Sequence, residues 1–206
     1  MRHRFALVAL LAVLILMVAG CGGDPAPDPS AAGPATTQAT PKATVPPATS
    51  ESRPETTTRA APKGVVPAGE RELAPDLHVT DFDGRTITLG GFRGQPVVVN
   101  FFESWCVVCR AEQDFIDEVA KRYDGRVRFL GVSNNDTVIE GRKFQQHFEV
   151  PYPLANDASG RTWAAYRVPY QPVTVVVDER GRVARRWDGE VEPVHLSSVL
   201  KYLVGT

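Results

Sequence analysis

The chain has 206 residues, a formal net charge of −1 and 43% hydrophobic residues. That length holds one domain plus a tail, and nothing in the balanced charge suggests nucleic-acid binding, which calls for a basic patch or stripe. The three cysteines divide by position, one near the N-terminus and two close together in the middle of the chain.

Met1-Arg2-His3-Arg4 is a positive start, followed by an apolar run over residues 5–18 of signal-peptide length. The run is shorter than the roughly 20 residues a membrane span needs. It ends in Val18-Ala19-Gly20-Cys21. Small residues before a cysteine resemble the lipobox of bacterial lipoproteins, although Val18 stands where leucine is usual. The resemblance implies that residues 1–21 are a lipoprotein signal peptide and that Cys21 is the lipid attachment site. The mature protein is then expected outside the cytoplasm, lipid-anchored to the outer face of the cytoplasmic membrane, where disulfides persist. Residues 22–71 are rich in Pro, Ala, Thr and Ser and nearly devoid of large apolar side chains. Such a segment cannot offset its ordering entropy, so it is expected to be a disordered tether.

From residue 72 to 206 the apolar residues cluster and alternate between strand and helix patterns. Residues 77–80 and 86–89 read as a hairpin around Asp83-Gly84. Val97-Val98-Val99-Asn100-Phe101 is a continuous buried strand of the kind covered on both faces. A helix is expected over 106–123, with Val108, Ala111, Phe115, Val119 and Tyr123 as its inward stripe. A second parallel strand follows at 127–132. Thr137-Val138-Ile139-Glu140 matches a capping box, opening a helix that runs to Phe148 with Phe144 and Phe148 inward. A short strand over 152–155 and a helix over 159–166, with Trp163 and Tyr166 inward, come next. Residues 173–177 and 182–186 read as antiparallel strands around a turn at 178–181. Pro193 opens a last helix with Leu196, Val199, Leu200 and Leu203 at helical spacing. The alternation predicts an α/β fold with a mixed central sheet flanked by helices.

The chemistry concentrates where the first buried strand meets its helix, at Trp105-Cys106-Val107-Val108-Cys109. A cysteine at a helix N-terminus has its thiolate stabilised by unpaired N–H groups and the helix dipole. The thiolate is the attacking form in thiol–disulfide exchange. Cys106 is the expected nucleophile, and Cys109, one turn behind, the resolving thiol. Structural zinc would need four ligands. With Cys21 lipidated, only His78, His147 and His195 remain beside the pair, without metal-ligand spacing, so no metal site is expected. A purely structural disulfide closing so short a loop would constrain the unfolded chain little.

These residues resemble the thioredoxin-fold oxidoreductases of the TlpA/ResA/DsbE-like branch. The resemblance rests on Val99-Asn100-Phe101-Phe102, on Trp105-Cys106-Val107-Val108-Cys109-Arg110-Ala111-Glu112, and on Tyr166-Arg167-Val168 with Gln171-Pro172-Val173-Thr174-Val175-Val176-Val177-Asp178. It implies a thioredoxin-like fold with an N-terminal β-hairpin and a TlpA-type insertion, and a Cys106–Cys109 redox disulfide. It also implies a cis peptide bond before Pro172, facing the pair, with Pro169 the competing candidate. Gln171 would offer its backbone to a substrate strand, and Trp105 would cover the rim of the site. Asn100 stands where thioredoxin holds a buried aspartate that helps deprotonate the resolving cysteine. Glu103 or Glu112 is the candidate replacement for that proton relay, although the commoner fate of either is a solvated surface charge.

The expected partners are thiols and disulfides of exported proteins, either haem-binding cysteines in cytochrome c maturation or secreted proteins undergoing oxidative folding. A membrane electron donor or acceptor would serve them; no cofactor is implied, and the protein is taken as a monomer. Two other readings stand beside this one. A thiol peroxidase of the AhpC/TSA type carries threonine three residues before its peroxidatic cysteine, where this chain has Glu103. A copper-handling protein of the SCO type has one more residue between its cysteines and a distal histidine.

Overall fold

The computed structural model describes residues 59–205. The expected signal peptide, the expected lipid-attachment residue Cys21 and the expected tether up to residue 58 lie outside the described residues.

The elements are β1 (His78–Asp81), β2 (Thr86–Thr88), β3 (Val97–Phe101), α1 (Val107–Arg122), β4 (Arg128–Ser133) and α2 (Val138–Phe148). They are followed by β5 (Leu154–Asn156), α3 (Arg161–Ala165), β6 (Val173–Val177), β7 (Val183–Asp188) and α4 (Pro193–Val204). One seven-stranded sheet runs in the order β2-β1-β5-β4-β3-β6-β7. β3, β4 and β5 are parallel, whereas β6 and β7 on one side and β1 and β2 on the other are antiparallel. This is a thioredoxin-like α/β fold with a mixed sheet. β5, from the inserted stretch, pairs with both β4 and β1, so the insertion joins the hairpin to the core sheet.

Every residue of β3 and β6 is buried, as expected for strands covered on both faces. Side chains alternate between those faces. Val98, Phe102 and Val176 pack with Ile116 and Val119 of α1, Phe144 of α2, and Leu196 and Leu200 of α4. Val97, Val99, Phe101, Val173, Val175 and Val177 pack on the other side with Trp163 and Tyr166. Phe101 meets Trp163 edge-on, ring centroids 5.8 Å apart. Asn100 and Thr174 share the α1 side by the same alternation, and they face each other across the β3–β6 pair. The capping box at Thr137 is formed in both directions.

The inward stripe of α1 differs from the expected one. Its buried residues are Cys109, Glu112, Gln113, Ile116, Asp117, Val119 and Ala120, whereas Val108 and Ala111 are exposed and Phe115 is half-buried. The apolar spacing misdirects because much of the buried face is polar and internally hydrogen-bonded. Gln113 Nε2 donates to Asp117 Oδ1 at 2.7 Å and lies 2.7 Å from the Tyr152 hydroxyl.

The packed chain also begins before residue 72. Val65 is buried in the core, and Val66 N donates to Ala184 O at 2.9 Å. Arg71 forms a buried ion pair with Asp178 at 2.9 Å. Val183 N donates to Glu72 O and Ala74 N to Gly181 O, so this segment lies along the edge of β7. The arrangement shields an edge strand whose open N–H and C=O groups would otherwise template aggregation.

Candidate active site

β3 delivers the chain to the C-terminal end of the parallel strands, where a short loop, Phe102 to Trp105, leads into α1. Cys106 is the N-cap of α1, with φ −71° and ψ 116°. Its Sγ accepts the Cys109 N–H at 3.1 Å, placing sulfur where an N-cap oxygen normally sits. Cys106 and Cys109 are joined as a disulfide with Cα atoms 5.3 Å apart. Cys106 is 7% exposed and Cys109 1%, so Cys106 is the sulfur an incoming chain reaches first. Trp105, Val107 and Val108 around the pair are exposed.

Pro172 reaches the same end of the sheet from the other direction. Phe101 pairs with Val173, which sets Pro172 beside the loop that carries the cysteines. The Gln171–Pro172 bond is cis, and Pro169 is exposed in the preceding loop. Pro172 O accepts the Gly189 N–H at 2.8 Å. Among the described residues, no hydrogen bond engages the backbone of Gln171, leaving its N–H and C=O free for an added strand.

Glu103 and Glu112 are both buried, not solvated. The Glu103 carboxylate accepts the N–H groups of Asn134 and Asn135 at 3.1 and 3.0 Å, and the Asn135 side-chain amide at 3.1 Å. In return Asp136 accepts the Ser104 N–H at 3.0 Å and the Ser104 hydroxyl at 2.7 Å. The two acids thus clasp the loop before Cys106 to the loop between β4 and α2. Burial raises both carboxyls above the ordinary range, and these hydrogen bonds counter the rise. Asp136 went unnoticed in the sequence. Its position beside the Thr137 capping box was the available signal, but nothing there points to Ser104.

Glu112 occupies a different environment. It lies one turn beyond Cys109, on the same buried face of α1. Asn100 Nδ2 donates to its Oε1 at 3.2 Å and Val191 N to its Oε2 at 3.3 Å. Asn100 Nδ2 also lies 3.1 Å from Thr174 Oγ1. Burial pushes the Glu112 carboxyl up to about 7, partly offset by the two donated hydrogen bonds. The strand position therefore holds an amide, and the helix supplies the acid.

The comparisons with known proteins agree with this geometry. A model described as the AhpC/TSA family matches residues 71–186. The chain belongs to that family. The thiol-disulfide oxidoreductase ResA of Bacillus thuringiensis subsp. konkukian is 30% identical over 129 residues, covering 62% of this chain and 75% of the relative. A secreted disulfide oxidoreductase of Mycobacterium tuberculosis, homologous to E. coli DsbE, superposes with a TM-score of 0.57 at 26% identity, covering 62% of this chain and 96% of that one. The exposed lipoprotein thioredoxin of Streptococcus pneumoniae gives 0.56 at 25% identity, covering 62% and 99%. Within the AhpC/TSA family this chain is a thiol–disulfide oxidoreductase of the ResA/DsbE type.

Two features bear on the other readings. The slot three residues before Cys106 holds Glu103, committed to the 134–135 backbone. His147 and His195 are exposed on α2 and α4, and among the described residues no group of three His, Cys, Asp or Glu side chains is placed to hold a metal ion. No described helix is long and apolar enough to cross a membrane.

Proposed function

We propose that this oxidoreductase exchanges disulfides with exported proteins, outside the cytoplasm, on a tether anchored through a lipid at Cys21. The observation that carries the proposal is the asymmetry of the pair. Cys106 caps the helix and is the less buried of the two, 7% exposed against 1% for Cys109, and Cys109 lies one turn from Glu112, whose carboxyl burial pushes up to about 7. The secreted and lipoprotein relatives support the location, and the free Gln171 backbone beside Pro172 supports a polypeptide substrate held as an added strand.

In the reducing direction the Cys106 thiolate attacks one sulfur of a substrate disulfide. The substrate S–S bond breaks, its second sulfur leaves as a thiolate, and a mixed disulfide forms. Cys109 gives its proton to the Glu112 carboxylate, and the resulting thiolate attacks Cys106 Sγ. The mixed disulfide breaks, the enzyme pair is oxidised, and the substrate carries away two electrons as a dithiol. The proton held by Glu112 returns to solvent or to the departing thiolate. An acid near 7 suits both halves of this transfer. The oxidising direction is the same sequence reversed. A membrane partner of opposite redox poise would reset the pair, and reduction of haem-binding cysteines in cytochrome c maturation is one reaction of this form. Trp105 and Gln171 contact the substrate, and Pro172 keeps the thiols open to it.

Two measurements test this reading. Alkylation of the reduced protein should modify Cys106 well before Cys109, with an apparent pKa below the ~8.5 of a free thiol; equal rates would overturn the assignment. The reduction potential then sets the direction. A value near about −270 mV, as in thioredoxin, means a reductant, and one between about −180 and −120 mV a disulfide donor or isomerase.

A further inference from the structure

Beside the disulfide, a groove of about 380 Å³ is lined by Ser104, Arg110, Glu140, Lys143, Phe144 and His147. Arg110 N donates to Cys106 O at 3.0 Å, so Arg110 lies directly below Cys106 on the same face of α1, one turn or about 5.4 Å along the axis. Ser104 stands two residues before Cys106. Glu140, Lys143, Phe144 and His147 recur on α2 at the spacing of one helix face. The groove therefore begins within a turn of the reactive sulfur and runs along α2.

Its charges are unevenly committed. The one acid, Glu140, accepts the Thr137 N–H at 2.8 Å and the Thr137 hydroxyl at 2.7 Å as the capping box, which hold its carboxyl below the ordinary range. Arg110 gives one N–H to Ser104 O at 3.1 Å and stacks over the rings of Phe148 and Phe144 at 5.1 and 5.9 Å. Among the described residues, neither Arg110 nor Lys143 has a carboxylate within ion-pair distance, although Lys143 adds to the lowering of the Glu140 carboxyl one turn away. The guanidinium thus sits over an aromatic floor, with N–H groups to spare and a lysine on α2.

We infer that this groove is a specificity subsite for the substrate polypeptide and takes an acidic side chain a few residues from the cysteine being exchanged. The inference rests on the thiol–disulfide oxidoreductase reading and deepens it by naming the substrate's local chemistry. The partner is a chain whose target cysteine is flanked by Asp or Glu. An extended chain advances about 3.3 Å per residue, so a span of one to two helical turns corresponds to roughly two to three residues. Phe144 adds an apolar wall for the stem of that side chain.

The test uses the full chain, reduced, against three disulfide-bearing peptides identical except for Glu, Gln or Lys three residues from the target cysteine. A small uncharged disulfide is run in parallel. The expected second-order rates follow the order Glu, Gln, Lys, with the Glu peptide about threefold to fivefold faster than the Gln peptide at low ionic strength. The ratio should collapse toward one near 1 M salt, where the screening length is about 3 Å. In the Arg110→Gln/Lys143→Gln double variant the Glu-to-Gln ratio should also fall toward one. Because the readout is a ratio on the same enzyme, a change in thiol reactivity cancels. Lys143→Gln alone, at an exposed position, reports a partial loss if the double variant does not fold. Equal rates for the three peptides, or a ratio unaffected by these substitutions, overturn the groove assignment and leave the oxidoreductase reading standing. Failure to react with the small disulfide as well overturns that reading, and the groove assignment falls with it.

Discussion

At the tip of α1, Trp105, Val107 and Val108 place apolar side chains in solvent, 60%, 79% and 43% exposed. One turn and more further along, Glu112, Gln113 and Asp117 place polar side chains under the sheet, each 3% exposed or less. The same helix is apolar outside at its tip and, among Ile116, Val119 and Ala120, carries three polar side chains inside. Helix stability alone would not select this distribution, because burying carboxyls without cations is costly and exposed apolar clusters invite association. The outer cluster and Glu112 sit beside the disulfide, whereas Asp117 lies about two turns beyond Cys109. In the proposed function the outer cluster is the surface an incoming polypeptide meets, and the inner one includes Glu112, whose carboxyl burial pushes up to about 7. On the mechanism proposed above, the difference separates the two tasks of exchange, substrate capture at Cys106 and proton management at Cys109.

The cysteines themselves offer the largest break of that comparison. Cys106→Ser should lower disulfide exchange by at least about 1,000-fold. Cys109→Ser should instead accumulate a mixed disulfide between Cys106 and the substrate, visible by mass spectrometry of the quenched reaction. If Cys106→Ser were the variant that trapped substrate, the outer and inner roles would have to be exchanged.

Glu112→Gln comes next. It keeps an acceptor for Asn100 but cannot carry a proton. Resolution of the mixed disulfide should slow about 100-fold, and an inflection near pH 7 in the wild-type single-turnover profile should vanish. A uniform slowing with that inflection intact would reduce Glu112 to a packing role.

Asp117 is the inner acid without a reaction to serve, and it isolates the cost of burial. Among the described residues its Oδ2 has no hydrogen-bond partner. Burial pushes the carboxyl up from 3.8 to about 6, with the Gln113 hydrogen bond opposing. The folded state holds this proton more tightly than the unfolded one, so stability falls as pH rises from about 4 through 6. Asp117→Asn should therefore raise unfolding free energy at pH 7.5 by about 1–3 kcal/mol and give little or no gain at pH 3.5, measured by urea denaturation at both values. Glu112 should contribute a similar decline, displaced toward pH 7. A gain of equal size at both pH values would mean that packing, not ionisation, governs Asp117.

The sequence was most informative where local rules decide the outcome. The valine runs of β3 and β6 read as strands because both faces are covered, and Thr137 and Glu140 marked the start of α2 by their reciprocal capping. The cysteine spacing and the strand before it pointed to the reactive pair. Partners far along the chain left no such trace. Glu103 is satisfied by backbone groups 31 and 32 residues away, and Arg71 by an aspartate 107 residues away. A charged residue whose partners are remote looks the same in sequence as one that is solvated. The apolar stripe 108, 111, 115, 119, 123 held at Val119 and Tyr123, which are buried, but missed at Val108 and Ala111 for a related reason. Periodicity assumes that the buried side is the apolar side, and α1 departs from that next to the site.

The smallest effect sharpens the outer half of the comparison. Trp105 makes no ring contact or hydrogen bond among the described residues, so its removal leaves little packing behind. Trp105→Ala should shift unfolding free energy by no more than about 0.5 kcal/mol, the range of ordinary surface substitutions. Its ring nonetheless offers the largest apolar area beside the disulfide, and covering even part of it by a substrate chain contributes about 25 cal/mol per Å². Burial of some 30–40 Å² then gives close to 1 kcal/mol, about fivefold in KM for an unfolded protein substrate. Steady-state kinetics with such a substrate, beside a melting curve, separates the two quantities. A lower melting temperature with KM unchanged would make Trp105 a packing residue and confine substrate contact to Val107, Val108 and the Gln171 backbone.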